Sequence, residues 1–219
     1  MEQNTVIVVA GGTASGKTTL ANILRKLLGE SECALISEDW YYHDRPELTL
    51  EERQKLNYDH PTALDFDLMR SHIHDLQNGQ PVKTPRYDFK THSRFSSGWV
   101  ELTPRPIIIV EGILVLWEKN IREMAKFKFF VDTADDVRLL RRMSRDIRER
   151  GRTFEGVKEQ WQKTVQPMYH EFCLPSKRYA DMIIPEGGEN PAVHTILERG
   201  LKRLAGVEES TSGTRGFKS

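Results

Sequence analysis

Gly11-Gly12-Thr13-Ala14-Ser15-Gly16-Lys17-Thr18 fits the spacing Gly-x-x-x-x-Gly-Lys-Ser/Thr, and its flanks decide how it folds. Before it, Val6-Ile7-Val8-Val9-Ala10 is a short apolar, β-branched run that predicts a buried strand. After it, Leu20, Ile23, Leu24, Leu27 and Leu28 recur at helical spacing. The glycines therefore occupy a strand-to-helix turn, the setting in which this motif binds phosphate. Glycine lets the backbone curl until several N–H groups face one anion. The helix N-terminus adds about half a positive charge. Lys17 is expected to reach the β- and γ-phosphates and the Thr18 hydroxyl to face Mg²⁺. Gly11, Gly12, Thr13, Ala14, Ser15, Gly16 and Thr19 complete the cradle. The loop alone specifies a nucleoside triphosphate and not what is done with it.

Working outward, Cys33-Ala34-Leu35-Ile36-Ser37 predicts a second strand with Glu38-Asp39-Trp40-Tyr41-Tyr42 at its carboxyl end. Ligand residues of open α/β sheets gather there, which makes Asp39 the first candidate for a catalytic base or Mg²⁺ partner. Ile107-Ile108-Ile109-Val110 predicts a central parallel strand buried on both faces, and Glu111 ends it where an acid can face the metal. Residues 128–132 and 181–185 predict a fourth and a fifth strand. Strands alternating with helices give a parallel sheet covered on both sides.

Between these elements lie three less regular stretches. Thr49-Leu50-Glu51-Glu52 is a capping box, so a short helix starts there and ends before Pro61. Asp59, in the loop before that proline, can accept from two adjacent hydroxyls of a sugar. Asp65 is expected to cap the next helix, with Met69, Ile73 and Leu76 inward and His72 and His74 in solvent. Residues 81–104 predict an inserted β-hairpin flap. Pro85 confines its first strand, 82–89, to an edge. Tyr87 and Phe89 alternate onto one face, either to stack on a flat ring or to anchor the flap. From about 138 to 173 runs a helical lid. Leu139, Leu140, Met143 and Ile147 form an apolar stripe that should pack inward, leaving Arg138 and Arg148 solvated. Arg150-Gly151-Arg152 breaks the helix. Arginines on such a lid neutralise charge on a transferring phosphoryl group.

The composition sets bounds. Lys+Arg and Asp+Glu both number 32, so there is no basic field for nucleic acid. Cys33 and Cys173 match no metal spacing and are expected as buried small hydrophobes. No apolar run is long enough to span a membrane and the first residues are no signal peptide, so a cytoplasmic protein is expected. Residues 1–205 are expected to form a single domain and the Gly/Ser/Thr-rich 206–219 a disordered tail.

The motifs taken in order are the phosphate loop; Ser37-Glu38-Asp39-Trp40-Tyr41-Tyr42; Asn57-Tyr58-Asp59-His60-Pro61; Tyr87-Asp88-Phe89 with Thr91-His92-Ser93-Arg94; Glu111-Gly112-Ile113-Leu114; Arg141-Arg142-Met143-Ser144-Arg145-Asp146; and Tyr179-Ala180-Asp181. Together they resemble the uridine kinase (uridine–cytidine kinase) family of P-loop kinases. The resemblance implies an α/β P-loop kinase fold that phosphorylates the 5′-hydroxyl of uridine or cytidine with ATP or GTP. It implies that Asp39 deprotonates that hydroxyl, and that Thr18, Asp39 and Glu111 surround Mg²⁺. It implies that Tyr42 and Asp59 help bind the nucleoside, Asp59 through the ribose hydroxyls, and that Tyr87, Phe89 and His92 enclose the pyrimidine. Arg142, Arg145, Arg150, Arg152 and Gln160 are implied to approach substrate and phosphates. A homotetramer inhibited by CTP or UTP is implied as well. Glu186 stands where the family usually has arginine, in a loop expected near the donor base. An imidazole of ordinary pKa at His92 predicts a uridine-to-cytidine preference that rises as pH falls from about 8 to about 5.5. The alternatives are another sugar- or vitamin-directed kinase, such as a phosphoribulokinase, and a nucleotide switch without a small-molecule acceptor. Asp59, Tyr87 and His92 together favour the nucleoside over the first, and the lack of an Asn-Lys-x-Asp motif and the presence of the flap argue against the second.

Overall fold

A computed structural model describes residues 4–95 and 98–187, together with residues 195 and 197. The tail expected at 206–219 lies outside the described residues. Strand β1 (Thr5–Gly11) runs into the phosphate loop and helix α1 (Lys17–Leu28). After β2 (Cys33–Ser37) come α2 (Leu50–Gln54) and α3 (Phe66–Gln77). The flap strands are β3 (Val82–Thr84), β4 (Tyr87–Asp88), β5 (Ser93–Arg94) and β6 (Val100–Leu102). Then follow β7 (Ile107–Gly112), α4 (Lys119–Met124), β8 (Phe127–Asp132), α5 (Asp135–Arg150), α6 (Phe154–Gln160) and β9 (Met182–Pro185).

The central sheet has the order β2-β7-β1-β8-β9 and is parallel throughout. Its apolar runs are continuous because the pleat sends alternate side chains to two cores. Val6, Val8 and Ala10 pack on one face with Ile108, Val110 and the α3 residues Met69, Ile73 and Leu76. Ile7 and Val9 pack on the other with Ile109 and Leu20, Ala21 and Leu24 of α1. Each such buried side chain is worth about 1.5–3 kcal/mol. The chain leaves β1 for β2 and β7 on one side, then crosses to β8 on the other. The phosphate loop therefore lies at the switch point of the sheet, where a crevice opens.

Three expectations need correction. The buried face of α5 is Arg138, Arg142 and Asp146 rather than the apolar stripe: Leu140 is 68% and Ile147 42% exposed, and Leu139 and Met143 are only half-buried. Arg138 can be buried because it has partners. It donates to the Thr133 carbonyl at 3.1 Å, pairs with Asp135 at 2.6 Å and lies 3.7 Å over the Tyr169 ring. His72 is buried rather than solvated, with Nδ1 3.0 Å from the Tyr41 hydroxyl. The flap's first strand is not continuous. Pro85 has no N–H to donate, and the ladder divides there into a β3–β6 pair and a separate β4–β5 pair.

The lid helix runs past α6 through two π-helical turns, Trp161–Val165 and Tyr169–Cys173. Its buried residues are Val157, Trp161, Val165, Tyr169 and Cys173, one every four positions. An α-helix of 3.6 residues per turn would let that stripe drift around the axis. The wider π turns bring it back into line. They also precede Pro167 and Pro175, whose rings an uninterrupted α-helix would not accept.

Candidate active site

The phosphate loop is bent by two left-handed residues, Ala14 (φ 58) and Gly16 (φ 96). Only the second is a glycine, so Ala14 carries the strain common at ligand sites. Ser15 Oγ is buried there without a hydrogen-bond partner. Lys17 is buried at the start of α1.

Two clefts open from this loop. One is lined by Ala14, Gly16, Lys17, Thr18 and Thr19 with Arg141, Arg145, Glu186 and Gly187. The second is lined by Thr13, Lys17, Asp39 and Asp59, by the aromatic residues Tyr42, Tyr58, Tyr87, Phe89 and His92, and by Ile113, Arg142, Arg145, Arg150, Arg152 and Gln160. Lys17 and Arg145 line both clefts, so the two meet at these side chains.

The carboxyl ends of β2 and β7 bring acids together. Glu111 accepts from the Ser37 hydroxyl at 2.6 Å and from the Thr18 hydroxyl at 3.2 Å. Burial holds its pKa above the usual carboxylate range, Lys17 draws it back down, and the Asp39 charge adds to the rise. Glu38 is fully buried and its pKa is pushed up to about 8, by burial first and then by Asp39. Its oxygens accept from the Ile113 and Leu114 amides at 3.1 and 2.9 Å, which ties the turn after β2 to the turn after β7. A hard cation fits this place. The donors are all oxygen, the acids strain against one another, and Mg²⁺ takes one or two carboxylates with substrate phosphates rather than a protein cage. Among the described residues no group of three His, Cys, Asp or Glu side chains forms such a cage.

The far wall is aromatic. Tyr42 meets Tyr58 at 5.4 Å and Tyr87 at 5.0 Å between ring centroids, and Tyr87 meets Phe89 at 5.5 Å. His92 is held at φ 52 with its ring stacked on Tyr58 at 4.8 Å. Its Nδ1 is buried with no partner. Burial, then the charges of Arg152, Arg150 and Arg53, push its pKa down to about 4. Asp59 is buried between the walls. Burial raises its pKa and Arg142 partly offsets the rise.

Every predicted substrate residue thus lines the second cleft, with Thr13, Arg150 and Arg152, while Ala14, Gly16, Lys17, Thr18 and Thr19 line the first and Ser15 lines neither. Arg148, expected to be solvated, is exposed. Sequence reading passed over four contributors. Tyr58 backs His92 and was legible only as a loop aromatic. Glu38 stood beside Asp39 in the sequence and was given no role of its own. Arg94 tethers the flap, donating to the Tyr42 carbonyl at 2.9 Å and to Asp65 at 3.2 Å. Asp146 is buried among the lid arginines.

A phosphate loop at the switch point of a parallel sheet, with an acid-lined crevice beside it, defines a P-loop α/β kinase. Residues 6–192 match the model of the Phosphoribulokinase / Uridine kinase family, and the chain belongs to that family. It is 52% identical to the uridine kinase of Halalkalibacterium halodurans, over 93% of this chain and 95% of that protein. It is 49% identical to the uridine kinase of Geobacillus kaustophilus, over 89% of this chain and 95% of that one. Among solved structures, phosphoribulokinase from Rhodobacter spheroides shares the fold with a TM-score of 0.60 at 18% identity, covering 84% of this chain and 70% of that one. D-glycerate 3-kinase from Cryptococcus neoformans does so with a TM-score of 0.54 at 19% identity, over 81% of each chain.

Proposed function

We propose that this chain is a uridine/cytidine kinase that transfers the γ-phosphate of ATP or GTP to the 5′-hydroxyl of uridine or cytidine, giving UMP or CMP. The observation that carries the reading is the meeting of the two clefts at Lys17 and Arg145. The cleft over the phosphate loop takes the donor. The second has an aromatic wall for a flat base and a buried carboxylate, Asp59, for a ribose diol. Asp39 lines that second cleft together with Lys17.

In this reading Asp39 orients the 5′-hydroxyl and takes its proton as the oxygen attacks the γ-phosphorus and the bond to the β-phosphate oxygen breaks. Lys17 and Arg145 hold the charge spread over the transferring group. Thr18, Asp39 and Glu111 would hold Mg²⁺, which when bound neutralises charge on the β- and γ-phosphate oxygens. The flap and lid arginines, Arg150 and Arg152 among them, close over the reactants and exclude water. Residues 1–205 act as one kinase domain. The similarity to uridine kinases over more than nine-tenths of the chain supports the assignment. The family resemblance supports a cytoplasmic homotetramer subject to inhibition by CTP or UTP, and sedimentation with and without CTP tests that part.

The test of the activity is ADP release from Mg·ATP with no acceptor, uridine, cytidine, adenosine or ribulose 5-phosphate. Uridine and cytidine should each stimulate release at least about 10²-fold, the least expected of a positioned base. Release that ignores the nucleoside, or that follows ribulose 5-phosphate alone, refutes the proposal.

A further inference from the structure

Asp146 is fully buried on α5 and lines neither cleft. Four guanidinium groups surround its carboxylate. Oδ1 faces Arg145 at 2.9 Å and Arg150 at 3.5 Å; Oδ2 faces Arg152 at 3.3 Å and Arg142 at 3.5 Å. Between them these arginines reach the phosphate loop, the flap and α6. Arg142 donates to the Thr13 hydroxyl of the phosphate loop at 2.9 Å and to Gln160 Oε1 on α6 at 2.9 Å. Arg150 lies 3.9 Å over the Phe89 ring of the flap. Arg145 stands where the clefts meet, and Arg152 shares Gln160 with Arg142.

Resting on the kinase reading of the clefts, we propose that Asp146 is a positioning residue that gathers the lid arginines in register and yields part of their charge to the phosphates of the donor. One negative charge against four positive ones leaves a surplus that the protein does not cancel at this carboxylate. Burial and then the charge of Arg145 lower the pKa of Arg150, while burial, set against Asp146, lowers that of Arg152. Such a cluster is held together well enough to be ordered and is charged enough to attract an anion. The donor phosphates bring that anion. Arg145, which lines the donor cleft, then turns from the carboxylate to the phosphate oxygens, and the arginines that share the carboxylate carry loop, flap and lid with it.

A purely structural role is not what the helix requires. The turn after α5 is closed by the Asp146 main-chain carbonyl, which accepts from the Gly151 and Arg152 amides whatever side chain stands there. The side chain is therefore free of the capping role, and its charge is what the arginines use.

The experiment compares the full-length wild type with Asp146→Asn and Asp146→Glu. It measures kcat and KM with whichever acceptor the wild type phosphorylates, Mg·ATP affinity by calorimetry without acceptor, and thermal unfolding. Asp146→Asn keeps shape and cap and removes the charge. Its kcat should fall about 10²-fold, the cost of misplacing a reacting group by about 1 Å. ATP affinity should stay the same or tighten, because the arginines no longer leave a partner, and nucleoside KM should stay within about threefold. Asp146→Glu, with the charge kept and moved by one methylene, should recover part of the lost kcat. A kcat within about threefold of wild type in the Asn variant overturns the proposal, as does a kcat loss matched by equal losses in ATP and nucleoside affinity. Should the Asn variant not fold, a folded Glu variant with wild-type kcat overturns it, and one with reduced kcat and intact ATP affinity supports it. The ATP arm needs no acceptor, so failure of the nucleoside assignment leaves this result readable.

Discussion

Lowering the pH should destabilise this protein through His92. Its pKa is pushed from the ordinary 6.5 down to about 4, by burial first and then by Arg152, Arg150 and Arg53. The side chain is 7% exposed, so water does little to screen those charges. Between pH 6.5 and 4 the unfolded chain binds a proton that the folded protein refuses. Stability therefore falls as pH drops through that window. From pH 7.5 to 5.0 this one group costs about 2 kcal/mol, at 1.36 kcal/mol per pKa unit. Urea unfolding of wild type and His92→Gln at both pH values isolates the contribution. Wild type should lose about 2 kcal/mol more than the variant. Equal losses would refute the argument. The same pKa changes the expected selectivity. At pH 5.5 only about 3% of His92 is protonated, so the uridine-to-cytidine ratio of kcat/KM should stay flat from pH 8 to 5.5, in place of the rise expected for an ordinary imidazole. A rise that disappears in His92→Phe would place the pKa near 6.5 after all.

Asp39→Asn should lower kcat about 10²–10⁴-fold with little change in nucleoside binding; a variant with more than half of wild-type kcat excludes Asp39 as the base. Wild type should prefer uridine to deoxyuridine by up to about 10⁴-fold, because a missing hydroxyl leaves buried Asp59 unpaired. Asp59→Ala should lose most of that preference, and comparable kcat/KM for the two nucleosides in wild type would sink the assignment. At Gly12 a Cβ would lie 2.8 Å from Arg138 Cζ and 2.9 Å from the Tyr169 ring, both buried. Gly12→Ala should therefore cost about 1–3 kcal/mol by overpacking and weaken ATP binding; unchanged urea midpoint and affinity would show that the lid can give way.

The sheet was legible in the sequence because a strand buried on both faces writes itself as an unbroken apolar run, as in Ile107-Ile108-Ile109-Val110. The phosphate loop was legible because its glycines, lysine and threonine are contiguous and its flanks are local. Asp65 as a helix cap and the Thr49–Glu52 capping box are local too, and both are formed. What failed were the readings of burial that depended on a distant partner. Hydrophobic periodicity turned α5 with Leu140 inward, yet the packed face is Arg138, Arg142 and Asp146. Arginine is bearable there because Thr133, Asp135, Asp146 and the Tyr169 ring supply its bonds, and a pattern that weighs each side chain alone does not see them. His72 is buried for the same reason, by a tyrosine hydroxyl 31 positions away in sequence. The depressed pKa of His92 likewise belongs to the fold, since Arg53, Arg150 and Arg152 come to it from two other segments. Local chemistry determined the elements and the loop; the charge and burial of individual site residues were decided only when the lid, the flap and the sheet came together.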